Sequence, residues 1–180
     1  MTKVYTSAVV LIPPEKLWIP IQTIREKYDR NFRRWMPHIT LLYPFRPESE
    51  FDSLELDFKE VCKDLKPFAL NFESFKYFKH SKQRFTIWLD PEPQQLVVDL
   101  QKKIQSIVPD CLDVASFKEG FIPHLSLGQI TGRDLLKVTL LELSSYWKSL
   151  KFLVDRIFII ARKPSKNSVF QEKKIILFSK

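Results

Sequence analysis

The chain has 180 residues, 29 Lys plus Arg against 21 Asp plus Glu, and a formal charge of +8. At 44% hydrophobic and 28% charged it falls in the globular range, and one domain spanning 1–180 is the expectation. Its three glycines, Gly120, Gly128 and Gly132, are too scattered for a P-loop or dinucleotide-binding loop. His38, His80, His124, Cys62 and Cys111 lie too far apart for zinc-type ligand spacing, so neither a metal nor a cofactor is expected.

In chain order, Val4 to Ile12 is apolar and β-branched and reads as a buried strand closed by Pro13-Pro14. Residues 15–30 space Leu17, Ile21 and Ile24 as a helix does, and Trp35 to Tyr43 reads as a strand opened by Pro37. A helix follows over 48–65, acidic first and basic last as its dipole prefers. Phe68–Phe72 and Arg84–Leu89 read as strands, with a polar turn at Lys79–Gln83. A helix over 93–108 comes next, then a second proline-opened strand, Phe121–Leu127, and a helix over 132–147 capped by Thr131. Phe152–Ala161 and Lys174–Phe178 read as two closing strands. The order helix, histidine strand, helix, two strands thus occurs twice at an offset of 86 residues, as an internal duplication within one domain would produce.

Both cysteines sit in helical or helix-terminal patterns, which predicts buried free thiols. The first residues lack the long apolar stretch and cleavage site of a signal peptide, and no run reaches the roughly 18 apolar residues of a membrane span. The expectation is a cytoplasmic (or nuclear) monomer without membrane contact. Residues 151–180 hold 8 basic and 2 acidic residues, with Arg162, Lys163, Lys166, Lys173 and Lys174 among them, a bias that favours a phosphate-bearing partner.

The chemistry lies in the two proline-opened strands. Pro37-His38-Ile39-Thr40-Leu41 and Pro123-His124-Leu125-Ser126-Leu127 share one pattern: proline, histidine, aliphatic, hydroxyl, leucine. In a strand, residues i and i+2 share a face, so His38 projects with Thr40 and His124 with Ser126, while the intervening aliphatics face the core. Two imidazoles across one cleft suit general acid–base cleavage of a phosphodiester, and the hydroxyls can donate to the phosphate oxygens. His80, in Lys79-His80-Ser81, reads instead as a turn residue on a solvated basic hairpin.

The paired motif, one per half, resembles that of the 2H phosphoesterases, the LigT-like, 2′-5′ RNA ligase-like and cyclic nucleotide phosphodiesterase group, over nearly the whole chain. The resemblance implies an α+β fold of two pseudo-symmetric lobes of antiparallel sheet plus helices around a V-shaped cleft. It implies metal-independent hydrolysis of 2′,3′-cyclic phosphates, or of 2′-5′ linked oligonucleotides, with RNA ends or small nucleotides as substrate. By the same likeness His124 is the base, His38 the acid, and Thr40 and Ser126 bind phosphate. Some relatives carry a basic residue three places after the second hydroxyl. Here that place is Gln129, matched by Tyr43 after the first.

Tyr43, Phe121 and Gln129 are accordingly candidate base or phosphate contacts. Trp35 and Phe45 are further stacking candidates, and Arg33, Arg34 and Arg46 are candidate replacement cations. The alternative is a module of the same fold that binds nucleotide or RNA without turning it over.

Overall fold

A computed structural model describes residues 2–116 and 119–179. The end residues of the 1–180 span, Met1 and Lys180, lie outside them. Among the described residues eight strands form one antiparallel sheet in the order β6-β3-β4-β5-β2-β1-β7-β8. The strands are β1 Ser7–Leu11, β2 Ile39–Leu42, β3 Phe68–Lys79, β4 Arg84–Glu92, β5 Leu125–Thr131, β6 Leu150–Val154, β7 Arg156–Ala161 and β8 Gln171–Leu177. The α-helices are α1 Trp18–Tyr28, α2 Phe51–Cys62, α3 Gln94–Gln105 and α4 Arg133–Tyr146.

The two histidine motifs open β2 and β5, which meet at the middle of the sheet through one residue pair, Ile39 opposite Leu125. On either side the ladders run in groups of four, so the sheet is two lobes joined at that pair. The lobes are not the two halves of the chain. β3 and β4 pair on with β5 and β6, whereas β1 and β2 pair on with β7 and β8. Only Asp155 separates β6, at the outer edge of one lobe, from β7, inside the other, and a sheet so connected has to curl.

The helices cover one face of the curl: α1 packs on β5, α2 on β8, α3 on β2 and β4, and α4 on β3 and β5. Each contributes an apolar stripe at helical spacing, such as Phe51, Leu54 and Phe58 of α2 or Val97, Leu100 and Ile104 of α3. The strands meet these stripes with Ile39, Leu41, Leu125 and Leu127, all buried as the alternation predicts, and with Ile130. Cys62 and Cys111 are buried free thiols, as expected, and burial pushes the Cys62 thiol up to about 12. Among the described residues no helix is long and apolar enough to cross a membrane.

Several expected boundaries move, each because strand pairing overrides local pattern. The first strand begins at Ser7, and Val4 makes an isolated bridge to Phe45. The β3–β4 hairpin is longer than its apolar runs, reaching Lys79 and Glu92. β5 continues past Leu127 to Thr131 because β4 offers it partners that far. Thr131 is therefore a strand residue and not a helix cap, and Gly132, at φ 104°, stands before α4 with no side-chain cap. Phe152–Ala161 is two strands broken at Asp155, whose carbonyl accepts from the Phe178 amide.

Candidate active site

In an antiparallel ladder with Ile39 opposite Leu125, His38 lies opposite Ser126 and Thr40 opposite His124. Directly opposed residues share a face. Since Ile39 and Leu125 face the helices, all four motif side chains share the other face, where each is half-buried. His38 and His124 occupy one diagonal of this square, with backbones about 7–8 Å apart. Thr40 and Ser126 occupy the other. The 86-residue echo thus converges on one patch of sheet.

Each histidine strand carries an extra residue just after its hydroxyl. In β2 the register against β1 shifts between Val10 opposite Thr40 and Val9 opposite Leu42, which leaves Leu41 over. In β5 the register against β4 shifts between Trp88 opposite Ser126 and Ile87 opposite Gly128, which leaves Leu127 over. A bulge swaps the faces of the residues beyond it. Tyr43 and Gln129, three places after the hydroxyls, would otherwise face the helices, and the bulges return them to the histidine face. Gln129 lies opposite Thr86 there, and its Oε1 accepts from the Arg30 amide at 3.3 Å. Tyr43 packs edge-on against Trp35 and Tyr5, and its hydroxyl donates to the Tyr5 carbonyl.

The two imidazoles are held alike. His38 Nδ1 lies 2.7 Å from the Met36 carbonyl and His124 Nδ1 2.8 Å from the Ile122 carbonyl, each two residues upstream. A carbonyl only accepts, so Nδ1 carries the proton in both rings and Nε2 is the nitrogen left for chemistry. Burial pushes His38 down to about 4, with the Arg25 and His124 charges adding to the effect and the Met36 carbonyl and Asp29 opposing it. Burial also lowers His124, against its bond to Ile122. Both rings are therefore neutral at pH 7 in the free protein. Aromatic neighbours fix the ring planes. His38 stacks on Trp35 with centroids 4.6 Å apart, and Phe78 and Trp88 stand edge-on to His124 at 4.9 and 5.9 Å.

The support behind His38 includes a residue that the sequence patterns did not single out. Arg25, on α1, is 2% exposed. Its guanidinium donates to Asp29 Oδ2 from Nε and Nη2, to Gln22 Oε1 from Nη1, and to the Trp35 carbonyl at 2.9 Å. It thereby pins the loop that delivers Trp35 and His38. The one sequence signal was an Arg and an Asp four apart at a helix end, a pairing that surface helices also show.

Other expected contacts are placed elsewhere. Phe121 is half-buried and packs against the main hydrophobic core. Phe45 is fully buried among Phe51 and Phe58. Trp35 is already engaged by stacking on His38 and on Phe170, the latter at 3.7 Å. Arg46 is buried and ion-paired with Asp110. Arg33 and Arg34 line a cavity with Lys166. His80 is exposed in its hairpin, its Nε2 2.8 Å from the Thr86 hydroxyl. Among the described residues no three His, Cys, Asp or Glu side chains gather as a metal-binding group.

This arrangement has relatives. The profile of the 2′-5′ RNA ligase superfamily matches residues 13–166. The chain belongs to that superfamily and so to the 2H phosphoesterases, which makes it a phosphoesterase by class. It is 28% identical over 154 residues to a Bacillus licheniformis protein named provisionally as a phosphoesterase, covering 84% of this chain and 87% of that one. A Geobacillus kaustophilus protein similarly named is 24% identical over 122 residues, 67% of each chain. The fold matches that of E. coli LigT with a TM-score of 0.65 at 13% identity, over 99% of this chain and 100% of LigT. It matches a Thermus thermophilus protein at 0.63 and 16%, over 96% and 97%.

Proposed function

We propose that the protein hydrolyses phosphodiesters, namely 2′,3′-cyclic phosphates on RNA ends or nucleotides or 2′-5′ linkages, with His38 and His124 as the proton-transfer pair. The observation that carries this is the Ile39–Leu125 register, which sets two imidazoles with free Nε2 atoms diagonally across two hydroxyls. A phosphate between them accepts hydrogen bonds from Thr40 and Ser126, which hold phosphorus in line and offset the charge that builds on its oxygens. Neutral Nε2 of one ring, His124 by family likeness, takes a proton from water as its oxygen bonds to phosphorus. The other, His38, gives a proton to the departing ribose oxygen as the P–O bond breaks. In the free protein both rings are neutral, so the acid gains its proton beside the phosphate anion, whose charge favours the imidazolium. Each proton transfer is typically worth about 10²–10⁴-fold in rate. Nucleotide substrates are in keeping with the neighbouring fold, since E. coli LigT has been crystallised with 3′-AMP and with phosphate.

A second reading, a binding module without turnover, draws on Gln129 standing where some relatives carry a cation, with its amide oxygen engaged by Arg30. One experiment separates the two. Turnover of 2′,3′-cyclic, 3′,5′-cyclic and 2′-5′ linked substrates is measured for the native protein and for His38→Ala and His124→Ala, with product analysis of which oxygen keeps the phosphate. Each substitution should lower turnover at least about 10²-fold, with EDTA leaving native activity intact. Strict metal dependence, or full activity in the double variant, overturns the proposal. Nucleotide binding with no product from any substrate establishes the binding module instead.

A further inference from the structure

Two cavities stand apart from the four motif side chains. One, of about 410 Å³, is walled by apolar side chains with Glu15, Asp155 and Glu172 against Arg156, which is poor ground for an anion. The other, of about 370 Å³, is lined by Arg30, Arg33, Arg34 and Lys166 together with three uncharged polar residues. Among the described residues no carboxylate lines it and none of its four cations makes an ion pair. The walls are tied together by backbone: the Phe170 amide donates to the Arg34 carbonyl, and Arg34 Nη2 to the Lys166 carbonyl at 3.3 Å. Four basic residues thus line one void, a composition that favours an anion.

The cavity adjoins the motif face. Arg34 precedes Trp35, on which His38 stacks, and four residues of chain keep the Arg34 and His38 Cα atoms within about 14 Å. The Arg30 backbone amide, which donates to Gln129 Oε1 and does not depend on the Arg30 side chain, ties the cavity wall to the same face. None of the four motif residues lines the cavity, so a group held here is not the one they act on, yet it lies close enough to belong to the same substrate.

We propose that this cavity binds a second, non-scissile phosphate of the substrate. This deepens the phosphodiesterase reading and rests on it. A cyclic mononucleotide bearing no other phosphate then leaves part of the binding surface unused, and the preferred substrate carries a further phosphate, on an oligonucleotide strand or on the nucleotide itself.

The test compares native protein with the double variant Arg30→Ala, Arg33→Ala, two exposed residues outside the motif face. Three substrates are used: a nucleoside 2′,3′-cyclic phosphate, the same compound with a 5′-phosphate, and a trinucleotide ending in a cyclic phosphate. The variant should lose about tenfold or more in kcat/KM on phosphate-extended substrates and keep its rate on the first. Loss on both extended substrates assigns the pocket to any nearby phosphate, and loss on the trinucleotide alone assigns it to a strand. Equal loss on all three, or none, overturns the proposal. A binding arm stands apart from turnover. With His38→Ala and His124→Ala in both proteins, the salt dependence of affinity for a labelled oligonucleotide should flatten by about 0.7 in log–log slope for each phosphate contact removed. An unchanged slope rejects the pocket even if the protein hydrolyses nothing.

Discussion

At the residue scale, each imidazole is fixed by a bond to the carbonyl two positions upstream, and that choice of partner determines which nitrogen works. It also leaves a mark on stability. His38 titrates near 4 in the folded chain and near its ordinary 6.5 when unfolded. As pH falls through 6.5 the unfolded chain takes up the proton first, so it gains on the native state until about pH 4, where the native ring protonates as well. His124 acts with the same sign. Through His38, stability should therefore fall between pH 6.5 and 4 by at most about 1.4 kcal/mol per pH unit, and His124 adds to the fall below 6.5. Urea unfolding across that window checks this. The His38→Gln variant should show a shallower decline, and a native curve identical in slope to the variant's would reject the assignment.

Among elements, the meeting of α1 with β5 is the tightest constraint on the site. Gly128 has φ 149°, and a Cβ there would fall within 2.5 Å of Tyr28 Cβ and carbonyl oxygen at the end of α1. A helix end therefore lies directly on the bulge that turns Gln129 toward the histidines. Gly128→Ala should destabilise by at least about 2 kcal/mol, from a strained backbone and from a contact with main chain that cannot move aside. Thermal unfolding measures the loss, and a variant as stable as the native protein would mean that α1 sits further from β5. The 86-residue spacing announced two similar strands, but not that each would bulge at the leucine after its hydroxyl.

For the molecule as a whole, the positive charge of the last thirty residues divides in two. Lys173 pairs with Glu48, and Lys174 with Asp52 and Glu55, on the helix-covered side. Lys166 lines the cationic cavity instead, and Arg162, in the same loop, lies over Phe170 beside Trp35. The charge bias in the sequence is real, yet only part of it faces the motif side. Lys173→Ala with Lys174→Ala removes two formal charges and should leave the salt slope of oligonucleotide binding unchanged, since exposed ion pairs like these contribute little and their cations are already neutralised. A slope that flattens as much as in the Arg30, Arg33 variant would show that bulk charge, and not the cavity, does the binding.

The four motif residues, their shared face and the family were legible in the chain because a strand's period of two and a repeated five-residue pattern are local properties. So were the helix stripes and the two buried thiols. What required the tertiary structure was every relation between distant segments. The interleaving of chain halves between lobes, the break at Asp155 and the turning of Tyr43 and Gln129 onto the motif face all depend on which strands pair. The buried Arg25–Asp29 clamp and the aromatic stack on His38 belong to the same category. Strand partners and burial are set by contacts across the whole chain, and no window of sequence contains both sides of such a contact.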